Sequence, residues 1–140
     1  MEQVIKAAWD VLKKVRLFFA LDTLDYLRRG GRVNFPSAIL ANLLKVKPIL
    51  TIKDGKASPV DRPRTRRRAI ERLLSLMKAN VTDTPVHVAV MHADDIREAE
   101  NLKREIASNF QCNELFVTGF TPVMGTHTGP DLIGVAFYNE

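Results

Sequence analysis

Residues 49–60 read ILTIKDGKASPV, two short runs of apolar and β-branched residues joined by Asp54-Gly55. An Asp-Gly pair suits the two-residue turn in which both central positions take positive φ, so the runs are predicted to pair as a hairpin. An antiparallel ladder is therefore written into the middle of the chain, and the flanking segments decide what it joins.

Working back toward the start, residues 48–52 supply the buried first strand of that hairpin. Pro36 fits the first turn of a helix running through Leu44. Gly30-Gly31 closes an earlier short helix carrying Leu24, Tyr26 and Leu27, with Asp22 or Thr23 as its cap and Arg28 and Arg29 at its negative end. Residues 17–21 read as a short buried strand. In residues 2–15, Val4, Ala8, Val11, Leu12 and Val15 recur at helical spacing beside Trp9, which predicts an amphipathic helix.

Working forward, residues 64–78 form a long helix with Ala69, Ile70, Leu73, Leu74 and Met77 inward and the arginines outward. Residues 86–91 make a strand. A helix from Asp94 or Asp95 to Phe110 follows, with Ile96, Ala99, Leu102 and Ile106 on one face. Strands over 114–118 and 132–137 complete the set. The alternation gives an α/β fold, a mixed β-sheet packed with helices, in a single domain over residues 1–140.

Composition limits the function classes. The chain has 140 residues, 46% hydrophobic and 26% charged, enough for a real core, with no repeats and no disordered composition. The longest apolar runs, such as VHVAVM, fall far short of the roughly 20 residues that span a bilayer. No charged-then-apolar leader opens these residues, and a soluble, cytoplasmic protein is expected. Cys112 is the only cysteine, so an intrachain disulfide and two-cysteine metal sites are ruled out, and an inert thiol is expected. The net charge of +5 gathers in Arg28, Arg29 and Arg32 and, more densely, in Arg62, Arg64, Arg66, Arg67, Arg68 and Arg72. A solvated helix face with its adjacent loop accounts for such clusters, as does a nucleic acid, an anionic surface or an acidic protein.

Few residues offer chemistry. A GxxxxGK[ST] loop, HExxH and GxSxG are all absent, and the three histidines are too dispersed to propose a metal site. His87 falls within a strand and reads as structural; His92 ends one and is placed to bond a loop or helix start. His127 differs in its setting, GTHTGPD, residues 125–131, read as a glycine-rich connection between two strands. Gly125 and Gly129 remove side chains on both sides, Pro130 stiffens the exit, and Thr126 and Thr128 add hydroxyls. An imidazole in such a setting can cradle a carboxylate or a phosphate, or can simply satisfy a turn.

FALDTLDYLRRGGRV, LKVKPILTIKDGKASPVDRPRTRRRAI, VMHADD and GTHTGPDLIGVAF occur in that order and together resemble the C-terminal domain of the DegV family of bacterial fatty-acid-binding proteins. The resemblance runs over nearly the whole chain. It implies a non-enzymatic carrier that needs no cofactor, takes a long-chain fatty acid as ligand and presents its carboxylate to a separate fatty acid kinase for phospholipid synthesis. In the family the histidine of this motif helps hold the carboxylate with a serine and a threonine of an N-terminal domain, and His127 matches it. Arg32, in GGR, and Arg64, before the long helix, match arginines implicated at the head group or in kinase docking.

The acyl chain would then be lined by Ile39, Leu40, Leu43 and Leu44 of the predicted helix and by Phe116 and Phe120. Burial of about 0.8 kcal/mol per methylene makes the tail the source of affinity, and leaves the head group to set orientation. Two departures stand out. Asp131 occupies the place where the family pattern ends in glycine, and nothing here resembles the family's N-terminal domain. A homodimer, or a separate chain supplying the missing half, is expected to complete the pocket. The rival reading is a basic nucleic-acid- or protein-binding module with no lipid site of its own.

Overall fold

The hairpin forms as its sequence requires. In a computed structural model describing residues 1–31 and 45–140, β2 (Ile49–Lys53) and β3 (Lys56–Asp61) are joined by Asp54 and Gly55 at φ 51° and 73°. Both are in the left-handed region that the turn demands. β3 lies at the sheet edge, where Pro59 removes no ladder donor that a central strand would need.

Around the hairpin, α1 (Glu2–Lys14) leads into β1 (Arg16–Ala20) and α2 (Asp25–Arg29). After the hairpin come α3 (Arg66–Asn80), β4 (Val86–His92), α4 (Ile96–Asn109), β5 (Cys112–Gly119), α5 (Pro122–Thr128) and β6 (Ile133–Asn139). The six strands form one mixed sheet in the order β3-β2-β1-β6-β4-β5. Only the β4/β5 pair is parallel, and α4 makes the crossover it requires. β6, last in the chain, inserts between β1 and β4, pairing Phe19 with Gly134 and Ala89 with Ala136.

Each face of the sheet has its own core. On one face Phe18, Ala20, Val86, Val88, Val90, Ile133, Val135 and Phe137 pack against Ala69, Leu73, Leu76 and Met77 of α3 and Ala99, Leu102 and Ile106 of α4. Strand side chains alternate between faces, so their neighbours point the other way. There Phe19, Leu21, Leu24, Leu27, Leu50, Ala57 and Leu132 make a second, smaller cluster that brings in α2. Thr65 and Asp95 cap α3 and α4, accepting from the Arg68 and Glu98 backbone N–H groups at 3.2 and 2.9 Å. Thr23 accepts from the Asp25 N–H at 3.2 Å, just ahead of α2. Among the described residues, no helix is long and apolar enough to cross a membrane.

Three expectations change. Residues 122–128 are helical rather than a connecting turn: Thr121 caps them and Pro122 starts them, a combination that favours a helix start despite the glycines that follow. Ile96, expected on one face with Ala99, Leu102 and Ile106, is exposed at the first residue of α4, while the other three are buried. α1 forms with its predicted apolar stripe, yet none of its residues is buried. Arg32, the helix predicted over 36–44, and with it Ile39, Leu40, Leu43 and Leu44, lie outside the described residues.

Candidate functional site

α5 is positioned by its two ends. At its start the Thr121 hydroxyl accepts from the Met124 N–H at 3.5 Å. At its finish Gly129 takes φ 77° and ψ 177°, a region essentially closed to side-chain-bearing residues. The chain then returns to the sheet through paired backbone bonds, Asp131 N–H to Ala93 O at 3.0 Å and Ala93 N–H to Leu132 O at 2.9 Å. Asp131 sits at φ 64°, an angle aspartate tolerates better than most residues. Its departure from glycine is thus accommodated by the backbone.

α5 packs on α2 through two reciprocal contacts. The ring of Tyr26 lies so close over Gly129 that a Cβ there would be 2.4 Å from Tyr26 Cδ2. The imidazole of His127 lies over Gly30, where a Cβ would be 2.6 Å from Nδ1. Aromatic-over-glycine contacts at both positions fix the half-buried imidazole from below. Among the described residues the His127 ring has no hydrogen-bond partner.

The flanking hydroxyls are engaged. Thr126, exposed, donates to Val123 O at 2.7 Å; Thr128, buried, donates to Met124 O at 3.1 Å with Gly129 O at 3.4 Å. Each hydroxyl therefore spends its one proton on the helix and retains only lone pairs. Beside them Val123 and Met124 are exposed apolar residues on the same short helix, at 69% and 40%. The sequence reading passed over this pair, although their place behind a Thr-Pro helix start was a signal that they share a helix with His127.

Phe120 packs on the second core cluster beneath α2, and its N–H donates to His92 O at 2.8 Å. Phe116 stands on the same face of the sheet but farther out and exposed. It ends a cross-strand row, Leu17–Ala136–Ala89–Phe116, in which two alanines leave a shallow apolar trough between larger side chains. Past the trough, His87 stacks on Tyr138 at 4.6 Å and 3°, with Glu114 and Glu140 at 3.4 and 3.3 Å from its ring nitrogens. The face thus runs from a polar rim, over an apolar floor, to the core cluster that supports α2.

Arg64 is exposed in the segment before α3 and has no ion-pair partner among the described residues. Its neighbours are mostly engaged. Arg67 pairs with Glu71 at 2.9 Å and Arg72 with Asp61. Arg66 turns inward, bonding Glu98 through Nε at 2.9 Å and through Nη2, with its Nη1 3.9 Å from Asp22, which in turn holds Lys47 at 3.0 Å. Far from being a solvated arginine, Arg66 bridges the starts of α3 and α4 to the end of β1. Cys112 is half-buried, and burial pushes its thiol up, away from the thiolate that a nucleophile needs.

The profile of the family described as "Uncharacterised protein, DegV family" matches residues 1–140. A DegV domain-containing protein of Clostridium acetobutylicum is 37% identical over 141 residues, an alignment covering 100% of this chain and 49% of the relative. Among solved structures, the fold is similar to a fatty-acid-binding DegV family protein of Thermus thermophilus, with a TM-score of 0.90 at 28% identity, over 100% of this chain and 51% of that one. It is also similar to DegV of Bacillus subtilis, described as a fatty acid binding protein, with a TM-score of 0.83 at 33% identity, over 99% and 50%. The chain spans about half the length of the relatives it matches.

Proposed function

This chain belongs to the DegV family, and from that premise we propose that it binds a long-chain fatty acid as one half of a carrier. The observation that carries the reading is the His127 imidazole, held over Gly30 without a hydrogen-bond partner among the described residues and bordered by exposed Val123 and Met124. A polar donor at the edge of an apolar surface matches a ligand with a carboxylate at one end and hydrocarbon at the other.

The division of labour follows from magnitudes. A tail of about ten methylenes yields on the order of 8 kcal/mol before ordering costs. The sheet face bearing Phe116 and Phe120 offers apolar surface for it, and Ile39, Leu40, Leu43 and Leu44 are assigned to the same lining. A hydrogen bond from His127 to a carboxylate adds about 1.5–3 kcal/mol, less than the tail but directional. Thr126 and Thr128 flank the head group, and because their protons are directed into α5 they shape the site while His127 donates. A second half, whether the family's N-terminal domain or another chain, would supply further hydroxyls. The carrier then presents the carboxylate to a fatty acid kinase, with Arg32 and Arg64, the latter unpaired among the described residues, meeting the head group or the kinase, as suits permanently charged, bidentate side chains. The rival basic-module reading loses support because Arg66, Arg67 and Arg72 are already paired with acids of the same chain.

Native mass spectrometry of the purified protein, followed by lipid extraction, tests the reading against His127→Ala. A stoichiometric fatty acid in the parent chain, with affinity lowered about 10- to 100-fold in the variant, is expected from the lost charge-assisted bond. Equal loading of both would remove His127 from the site.

A further inference from the structure

Gly30 and Gly31 together close α2, yet the two are glycines for different reasons. Gly31 takes φ 65°, the left-handed angle at which a helix stop favours glycine, and no atom lies within 4 Å of where its Cβ would be. Gly30 takes φ −77° and ψ −8°, ordinary right-handed backbone open to any residue. Its dihedrals thus give no reason for glycine, the residue that loses most conformational freedom on folding. Space gives one. A Cβ on Gly30 would stand 2.6 Å from Nδ1 of His127, 3.4 Å from Cε1 of the same ring and 3.4 Å from Tyr26 O. The two longer distances are ordinary van der Waals contact, and the first alone is an overlap. Gly134 is crowded as well, but by Phe19 and the Phe18 carbonyl of the neighbouring strand, which is packing within the sheet.

We infer that Gly30 is a positioning residue for His127: the side chain it lacks is the seat of the imidazole's Nδ1–Cε1 edge, which leaves Nε2 as the nitrogen that meets the ligand's carboxylate. The identity of that ligand rests on the fatty-acid reading; the seating does not. The two ring nitrogens are distinct, and surroundings decide which one is presented. Gly30 faces Nδ1, which turns Nε2 away from α2. The seat matters because His127 lies in the last turn of a short helix. A side chain with two rotatable dihedrals loses freedom on binding unless it is already held. Tyr26 completes the seat. Its ring packs on Gly129, just beyond His127, and its carbonyl accepts from the Gly30 N–H at 3.0 Å. α2 therefore holds α5 at one glycine and the imidazole at another, and the donor's direction is set before a ligand arrives.

A double-mutant cycle between Gly30→Ala and His127→Ala tests the seating, with palmitate as the probe for binding. Gly30→Ala is expected to weaken palmitate binding about tenfold in isothermal titration calorimetry, and to weaken it no further when added to His127→Ala, which has no imidazole to displace. Melting temperatures read the seat without any lipid. Gly30→Ala is expected to raise Tm by about 2 °C in the His127→Ala background, where the backbone admits alanine and nothing overlaps it. In the parent the same change is expected to lower Tm, because the ring must move. In long-range ¹H–¹⁵N spectra, palmitate is expected to shift the Nε2 signal of His127 more than the Nδ1 signal. Circular dichroism establishes that each variant is folded. Equal Tm shifts in the two backgrounds, palmitate affinity unchanged by Gly30→Ala or lowered equally in both, or a larger response at Nδ1 would each overturn the inference. A parent chain that binds no palmitate would instead strike the fatty-acid reading, and the Tm cycle would still decide the seating.

Discussion

Replacing Gly129 by alanine tests the contact that holds His127 in place. Two costs add at this position. The backbone lies at φ 77° and ψ 177°, where a side chain is strained by about 1–3 kcal/mol. The new Cβ would also lie 2.4 Å from Tyr26 Cδ2 and 2.5 Å from Cε2, and relieving such an overlap by shifting a packed ring costs about 1–3 kcal/mol. A total near 3 kcal/mol corresponds to a fall in Tm of roughly 12 °C for a domain of this size. Differential scanning calorimetry measures it, and two other glycines calibrate it. Gly55 has φ 73° but open space around its Cβ position, so Gly55→Ala bears strain alone, about 1–2 kcal/mol. Gly125 sits inside α5 with open space and no positive φ, so Gly125→Ala is expected to stabilise by about 0.5–1 kcal/mol. A Gly129→Ala protein melting within about 2 °C of the parent would refute the ring-over-glycine account of how α2 orients α5.

Arg66→Ala leaves the largely buried Glu98 without its guanidinium partner, while Asp22 keeps Lys47, and a loss of about 2 kcal/mol in urea denaturation is expected, against less than about 0.5 kcal/mol for Arg67→Ala at its exposed pair. Comparable losses in the two variants would show that Arg66 bridges nothing. Asp61 is held below the ordinary aspartate range, first by the Arg62 backbone N–H and then by Arg72, against an opposing push from partial burial. A depressed native pKa stabilises fully above the unfolded value and loses that contribution as pH falls through the native one. Asp61→Asn is therefore expected to flatten the fall of Tm below about pH 4. An acid limb with unchanged slope would count against it.

What could be read from the chain and what could not divide along the range of the interaction involved. Asp54-Gly55 specified its turn because two adjacent residues set both dihedrals. The repeat of Ala69, Leu73 and Met77 placed α3, because side chains one turn apart necessarily share a face. Thr65 and Asp95 each needed only a backbone N–H three residues away. His127 stood out by its composition, and family resemblance supplied its role. The GTHT stretch was misread as a connecting turn because its glycine lowers helix propensity, while the interactions that overrule it, the Thr121 cap and the Tyr26 ring against Gly129, lie outside the stretch.

The sequence by itself therefore determined the hairpin, the amphipathic helices, the α/β class and the residue to watch. Tertiary structure decided the strand order that inserts β6 between β1 and β4, the turning inward of Arg66, and the seating of His127 over Gly30. It also showed that no residue of α1 is buried. Propensity and periodicity act over one or two turns of chain and leave their mark in local spacing. Strand pairing and ring-over-glycine packing join residues from distant parts of the chain, and no local pattern encodes which of the sterically allowed neighbours will meet.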